Sequence, residues 1–409
     1  MIVRIRDMKM FLSMFLFMLP TALFQIPGTS TVWYVLLFLS ILFFVISIRL
    51  DFFYVAKKQE GAFLTVVFLV FHILTQALAT AYNGGNLLHN LLSAGVVFFM
   101  CMYYAFHVTQ NTIDTIVVFK SVVGFLVFLE LVLYIFDLSW LGSIQIGYLY
   151  YVVWATLSLF VSKKYRRTNR EIYCFTFLFL FIITLKPQVN SDGSSNYEWT
   201  FYVVAFLFMA YLFLEKHLKS CKLIFNAKTV LLVIVFLNLV FVVFQVQDQI
   251  SVIRYLIEEV MHKDIGLTGR SGIWIFTKEL IKARPVWGYG TGLISLKNEG
   301  YWYDFIREYG PHNQFLYLIL AGGIFTLITY IFLLFDVFYK LNKRKNSVYV
   351  PIFCLGLFSV YLLLLVTYRT ITNCMPFFAL LIIISTLCAR NFDFGENDGR
   401  KRSLTEIKE

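Results

Sequence analysis

DQISVIRYLIEEVMHKDIGLTGRSGIWIFTKELIKARPVWGYGTGLISLKNEGYWYDFIREYGP, residues 248–311, is the one long polar stretch in an otherwise apolar chain. Of the 409 residues, 59% are hydrophobic and 14% charged, too few ionic groups to coat a globular surface of that size. The chain reads as an all-α, polytopic membrane bundle, with 248–311 as its one large loop.

A hydrocarbon core of ~30 Å takes about 20 apolar residues of helix. Outward from the loop, three such runs follow it, at 312–339, 348–368 and 373–389. Nine precede it, at 10–27, 32–49, 62–80, 87–106, 114–136, 144–162, 171–186, 197–214 and 229–247. The expected organisation is therefore an N-terminal bundle of about nine spans (1–247), the loop (248–311), about three further spans (312–389) and a polar tail (390–409). Runs 10–27 and 171–186 are short for a crossing, whereas 312–339 is long enough to tilt or project.

Lysine and arginine set the sidedness. With the first residues placed inside, the inner segments hold 24 basic residues and the short outer loops hold two, Lys186 and Arg369. An even number of spans leaves both termini in the cytoplasm and 248–311 outside. Arg4, Arg6 and Lys9 precede the first apolar run, but no small-x-small cleavage site follows, so that run is expected to remain as a span. The net charge of +11 sits in short clusters between spans, as membrane anchors do, and nucleic acid is not an expected partner. Six scattered cysteines with no CxxC spacing indicate neither a disulfide framework nor a metal site. No P-loop, HExxH or cofactor motif occurs.

Within the loop, eight basic and eight acidic residues balance, so it is not a polybasic patch. IRYLIEEV and GIWIFTKELIKA place apolar residues at helical spacing and predict two amphipathic helices lying on the outer surface, separated by Gly266 and Gly269. Pro285 stops the second. Trp274, Trp287, Tyr289, Tyr301, Trp302 and Tyr303 give the loop too much aromatic surface for disorder.

Arg270 and Trp274, four residues apart, share a helical face. A guanidinium in that position either grips phosphate through its planar fork of donors or snorkels toward headgroups beside an anchoring tryptophan. His312, between Pro311 and Asn313 at the mouth of a span, either holds phosphate or takes a proton, or else caps the helix and faces water. GYGTG at 288–292 lacks the dinucleotide-binding spacing; its glycines shape a tight loop whose amides can approach an anion. Gly322 and Gly323 suit close helix packing. Of the polar groups inside spans, Glu130 faces either a cavity or the interface, and His72 with Gln76 is expected to bond between helices. Lys120 is expected to snorkel inward, and Asp336 lies near the cytoplasmic end with no special role expected of it.

GRSGIWIFTKELIKARPVWGYGTG followed by PHNQFLYLILAGGIFTLITYIFLL resembles the O-antigen polymerase and O-antigen ligase family of bacterial membrane glycosyltransferases, over residues 265–335. The shared features are their order: Arg270, Trp274, a Pro and Gly-x-Gly, then His312 and Asn313 entering a span with a glycine pair. The resemblance implies an inverting enzyme in the bacterial cytoplasmic membrane. It would take a glycan linked through pyrophosphate to a polyprenyl lipid and join the reducing-end sugar to an acceptor hydroxyl on the outer face. Arg270 would stabilise the departing pyrophosphate, and His312 would bind phosphate or assist deprotonation of the acceptor; Trp274 and Asn313 would contribute to substrate binding.

One departure matters. The family often carries a Ser-Arg pair where an earlier span begins outside, but the corresponding loop here reads KPQVNSDGSSNYEW and offers Lys186. The second cation for pyrophosphate or glycan is then Lys186, Arg284, Arg307 or Arg369. No metal or other cofactor is implied, since a lipid pyrophosphate is already an activated leaving group. The implied partners are the polyprenyl-pyrophosphate-linked oligosaccharide and membrane lipid, with a flippase and a chain-length regulator beside them. A polymerase building a capsular, exopolysaccharide or O-antigen chain is the first reading; a ligase is the alternative within the same chemistry. A flippase or transporter is the alternative from another class, but it would be expected to show an internal repeat, and the loop has no counterpart in the first half.

Overall fold

The computed structural model describes residues 60–85, 112–136, 144–185, 188–189, 195–196, 199–215, 224–246, 249–260, 270–293, 295–296, 300–367 and 374–389, with isolated positions at 35, 38, 39, 42, 87, 91, 94 and 95. The expected spans 10–27, 32–49 and 87–106 lie outside the described segments apart from those positions, as do Lys186, Gly266, Gly269, Arg369 and the tail.

The remaining nine expected spans are helices. They are α1 (Glu60–Tyr82), α2 (Thr112–Ile135), α3 (Ile144–Tyr165), α4 (Arg170–Leu185), α5 (Trp199–Leu214), α6 (Ala227–Leu237), α10 (Gln314–Lys343), α11 (Val350–Val366) and α12 (Met375–Ala389). Among the described residues, α1, α2 and α10 are long and apolar enough to cross a membrane, and the shorter apolar helices pack beside them. The large exposed side chains on these helices, such as Phe71, Phe128, Phe181, Phe213 and Phe335, are apolar, which suits a surface facing hydrocarbon rather than water. A two-residue antiparallel pair, Gln188–Val189 with Ser195–Asn196, is a small departure from the all-α expectation.

The helix ends that meet are ends expected on one side. Lys120 pairs with Glu171 at 2.8 Å, Lys163 with Glu215 at 2.6 Å, and Arg344 donates to the Cys388 carbonyl at 3.0 Å, all at ends assigned inside. At the opposite ends Asn313 donates to the Leu365 carbonyl at 3.0 Å. Glu130 is 3% exposed, which places it inside the bundle rather than at an interface.

Helices α1 and α10 run antiparallel and share several buried polar contacts. His72 Nδ1 lies 3.2 Å from the Thr326 carbonyl and its Nε2 3.1 Å from Gln76 Nε2, which gives the expected bond between helices. A carbonyl only accepts, so Nδ1 carries the proton and Nε2 accepts from Gln76. Toward the other end Lys340 donates to Asp336, to Thr65 Oγ1 (2.8 Å) and to Ser385 Oγ (2.7 Å), joining α1, α10 and α12. Asp336, expected to be inert, is 5% exposed and is the acid of this network. Its burial depends on two distant helices, Thr65 being 271 residues away in sequence. Removing one member of a buried pair leaves an uncompensated charge, at a cost of about 3–5 kcal/mol. Lys340→Met is therefore expected to lower the melting temperature of the detergent-purified protein, and Asp336→Leu added to it to recover part of the loss.

The segment before α10 folds onto the bundle. Ser251–Tyr255 (α7) continues as a π turn to Val260; α8 spans Arg270–Ala283, and α9 Tyr301–Tyr309. Helix α8 does not simply lie on the surface. It buries Ile273, Trp274, Thr277 and Leu280, and with Tyr289, Leu293, Leu296 and Ile306 it forms a second apolar core against Tyr317, Leu320 and Ala321 of α10.

Candidate functional site

Helix α8 starts at Arg270, with no acidic residue in its first turn, so the guanidinium stands at the positive end of a 14-residue helix. Two contacts fix that end. Gln245, just past α6, donates to the Ser271 carbonyl at 3.1 Å. One turn along the Arg270 face, fully buried Trp274 donates its indole N–H to the Pro311 carbonyl at 3.0 Å. Pro311 immediately precedes His312, so the α8 N-terminus and the mouth of α10 are joined by one hydrogen bond. One turn beyond Trp274, Lys278 reaches the Val243 carbonyl at 3.2 Å, a group near the end of the π turn that closes α6. Burial, and then Lys282, hold Lys278 below the usual lysine range.

The chain reversal between α9 and α10 sets the histidine. Gly310 leaves α9 with φ 68° and ψ −177°, and His312 itself takes φ 47°. That left-handed backbone is uncommon for a residue with a side chain and costs of the order of 1 kcal/mol or more. The His312 ring is half-buried, 6.3 Å from that of Phe305. The cap is supplied by its neighbour: Asn313 accepts from the Leu316 amide at 3.0 Å and starts α10. Asn313 and Trp274 are both fully buried and spend these polar groups on the scaffold.

Of the two glycines in α10, Gly323 does something other than pack helices. At Gly323 the helix breaks, with φ 73° and ψ −173°, and the loop after α8 enters the gap. The Ile324 amide donates to the Pro285 carbonyl at 2.9 Å, and the Tyr289 amide donates to the Leu320 carbonyl at 2.7 Å. A Cβ on Gly323 would overlap the Val286 carbonyl, and one on Gly288 the Leu320 carbonyl. In GYGTG the Tyr289, Thr291 and following Leu293 amides are used internally, Thr291 donating to Thr80 Oγ1 at 3.0 Å. Those amides are not turned toward an anion.

Arg284 lies just beyond the C-terminal end of α8, 14 residues and about 20 Å of helix from Arg270. Its Nη1 donates to Asn83 Oδ1 at 3.1 Å and Ser295 Oγ at 2.9 Å, and its guanidinium carbon is 4.9 Å from the Tyr289 ring centroid. Arg284, Asn83 and Ser295 border an open cleft of ≈ 710 Å³, shared with Tyr82 and Trp287. Arg270, Trp274 and His312 thus group at one end of α8, while Arg284 belongs to the other. Arg307 sits on α9, which leads into the His312 turn. Sequence reasoning passed over Asn83; its one local signal is the NGG run that ends α1, where Gly84 takes φ 77°.

Residues 193–331 match the O-Antigen ligase family model. That region includes every site candidate except Lys186 and Arg369, and it begins well upstream of the 265–335 stretch that carries the resemblance. Over that region, about a third of the chain, the protein is similar to O-antigen ligases. No curated protein and no solved structure matches the chain.

Proposed function

We propose that this O-antigen ligase-like chain is a polysaccharide polymerase, joining polyprenyl-pyrophosphate-linked repeat units on the outer face of the cytoplasmic membrane. In this reading it crosses the membrane twelve times with both termini inside. The observation that carries it is the Trp274–Pro311 hydrogen bond, which ties the helix end bearing Arg270 to the residue before His312. In this reading a cation that never loses its charge and an imidazole able to accept a proton serve that junction.

An acceptor hydroxyl attacks the anomeric carbon of the reducing-end sugar from the face opposite the leaving group. The new C–O bond forms as the bond to the lipid pyrophosphate breaks, and the configuration inverts. Arg270, helped by about half a charge from the α8 N-terminus, takes up the negative charge on the departing pyrophosphate. His312, neutral, takes the hydroxyl proton. The left-handed backbone at His312 suits a residue held for chemistry rather than for folding. Lys186, Arg307 and Arg369 are the cations proposed to support Arg270.

Purified protein given a polyprenyl-pyrophosphate oligosaccharide is expected to produce longer lipid-linked glycans without nucleotide or metal. Dependence on a nucleotide sugar would end this reading. The family description favours a second one, a ligase. In that case the lipid-linked products would not lengthen, and finished glycan would move to a different acceptor.

A further inference from the structure

A polymerase of this kind handles two lipid-linked substrates at once. One pyrophosphate leaves with the donor's lipid, and the other stays on the acceptor, whose far-end hydroxyl does the attacking. The Arg270 end of α8 accounts for one anion. Resting on that reading, we propose that the Arg284 cleft holds the second, the lipid-borne pyrophosphate of the acceptor unit.

The cleft is built for an anion. Arg284 is locked from one side by neutral acceptors, Asn83 Oδ1 and Ser295 Oγ, and no carboxylate among the described residues pairs with it. Asn83 is oriented in turn, its amide donating to the Ala79 carbonyl at 2.7 Å, and Ser295 Oγ lies 2.6 Å from Asn83 Oδ1. Both contacts use Nη1, leaving donors on Nε and Nη2 for a phosphate group.

Placement argues for a lipid-borne phosphate over a soluble one. Pro285, next to Arg284, is hydrogen-bonded at Ile324, ten residues and about 15 Å along α10 from its outer end. The guanidinium therefore sits well below the top of the bundle. Tyr82 and Trp287 stack beside it at 5.7 Å and 27°, and Trp287 also touches half-exposed Phe325, as aromatic residues at a headgroup boundary do. The length of α8 between the two arginines leaves room for a short oligosaccharide with its pyrophosphate at Arg284 and its attacking hydroxyl near His312.

The test counts polyprenyl pyrophosphate molecules bound to the full chain in phosphatidylcholine nanodiscs by native mass spectrometry. Wild type is expected to bind two, and Arg270→Ala, Arg284→Gln and Asn83→Asp one each. Asn83→Asp keeps the acceptor for Arg284 while neutralising its charge but loses the amide bonds to the Ala79 and Gly288 carbonyls, and Arg284→Gln leaves those two bonds intact, so the same loss in both variants reports on the anion site rather than on local packing. In the two cleft variants the second molecule is expected to bind about 10- to 100-fold more weakly. Two molecules held by both cleft variants at wild-type affinity would overturn the proposal. So would displacement of the second molecule by phosphatidylglycerol, which marks an ordinary anionic-lipid site. A single molecule, lost only in Arg270→Ala, would remove the cleft and leave the polymerase reading standing; no binding at all would bring down both.

Discussion

Arg270→Ala is expected to reach the membrane in normal amount and to lose transfer activity by about 10²- to 10³-fold, the usual cost of removing one preorganised contact to developing charge. The fold should tolerate the change. Arg270 is the first residue of α8, alanine is the best helix former, and the helix is held by Trp274, Ile273, Thr277 and Leu280, none of which changes. The loss is therefore chemical rather than structural. Arg270→Lys keeps the charge without the planar fork and is expected to fall between wild type and alanine. The measurements are membrane protein level, glycan length profile in cells relying on the variant, and extension of lipid-linked oligosaccharide by purified protein. Single repeat units in cells with undiminished protein are the expected outcome; normal-length glycan would remove Arg270 from the mechanism.

Helix placement was legible because each crossing needs an uninterrupted apolar run. The reading 144–162 became Ile144–Tyr165, and 312–339 became Gln314–Lys343. Pairings between distant segments were not legible. Asp336 and Lys340 have visible i, i+4 spacing, but nothing local reveals that Thr65 and Ser385 close over them. Asn83 before two glycines reads as the end of a helix, which it is; its role beside Arg284 depends on a residue 201 positions away. Gly323 in α10 departs from the helix-packing expectation for a related reason. Small residues in a membrane helix announce that something approaches closely, and only the three-dimensional arrangement says whether that is a helix or a loop backbone.

That distinction gives Gly323→Val a large expected effect. Its backbone, φ 73° and ψ −173°, lies in a region open to glycine and closed to a β-branched residue. A Cβ would also overlap the Val286 carbonyl. If α10 straightens to relieve this, the 285–289 loop is expelled and two backbone bonds go with it, Ile324 to Pro285 and Tyr289 to Leu320. Leu320 and Tyr289 are buried, so backbone groups left unpaired there find little water, and together with the strain the loss is on the order of 5 kcal/mol. Expulsion also carries Trp287 away from Tyr82 and Arg284 away from Asn83, so glycan extension should fail even in protein that remains folded. Gly292→Ala is the matched control. Gly292 also has positive φ, 72°, but an added Cβ meets nothing within 4 Å, so the cost reduces to backbone strain of about 1–2 kcal/mol. Thermal unfolding in detergent, followed by the extension assay, should separate the two variants clearly. Equal melting temperatures would mean that the break in α10 does not depend on the loop seated in it, and the Arg284 cleft would lose the wall that positions it.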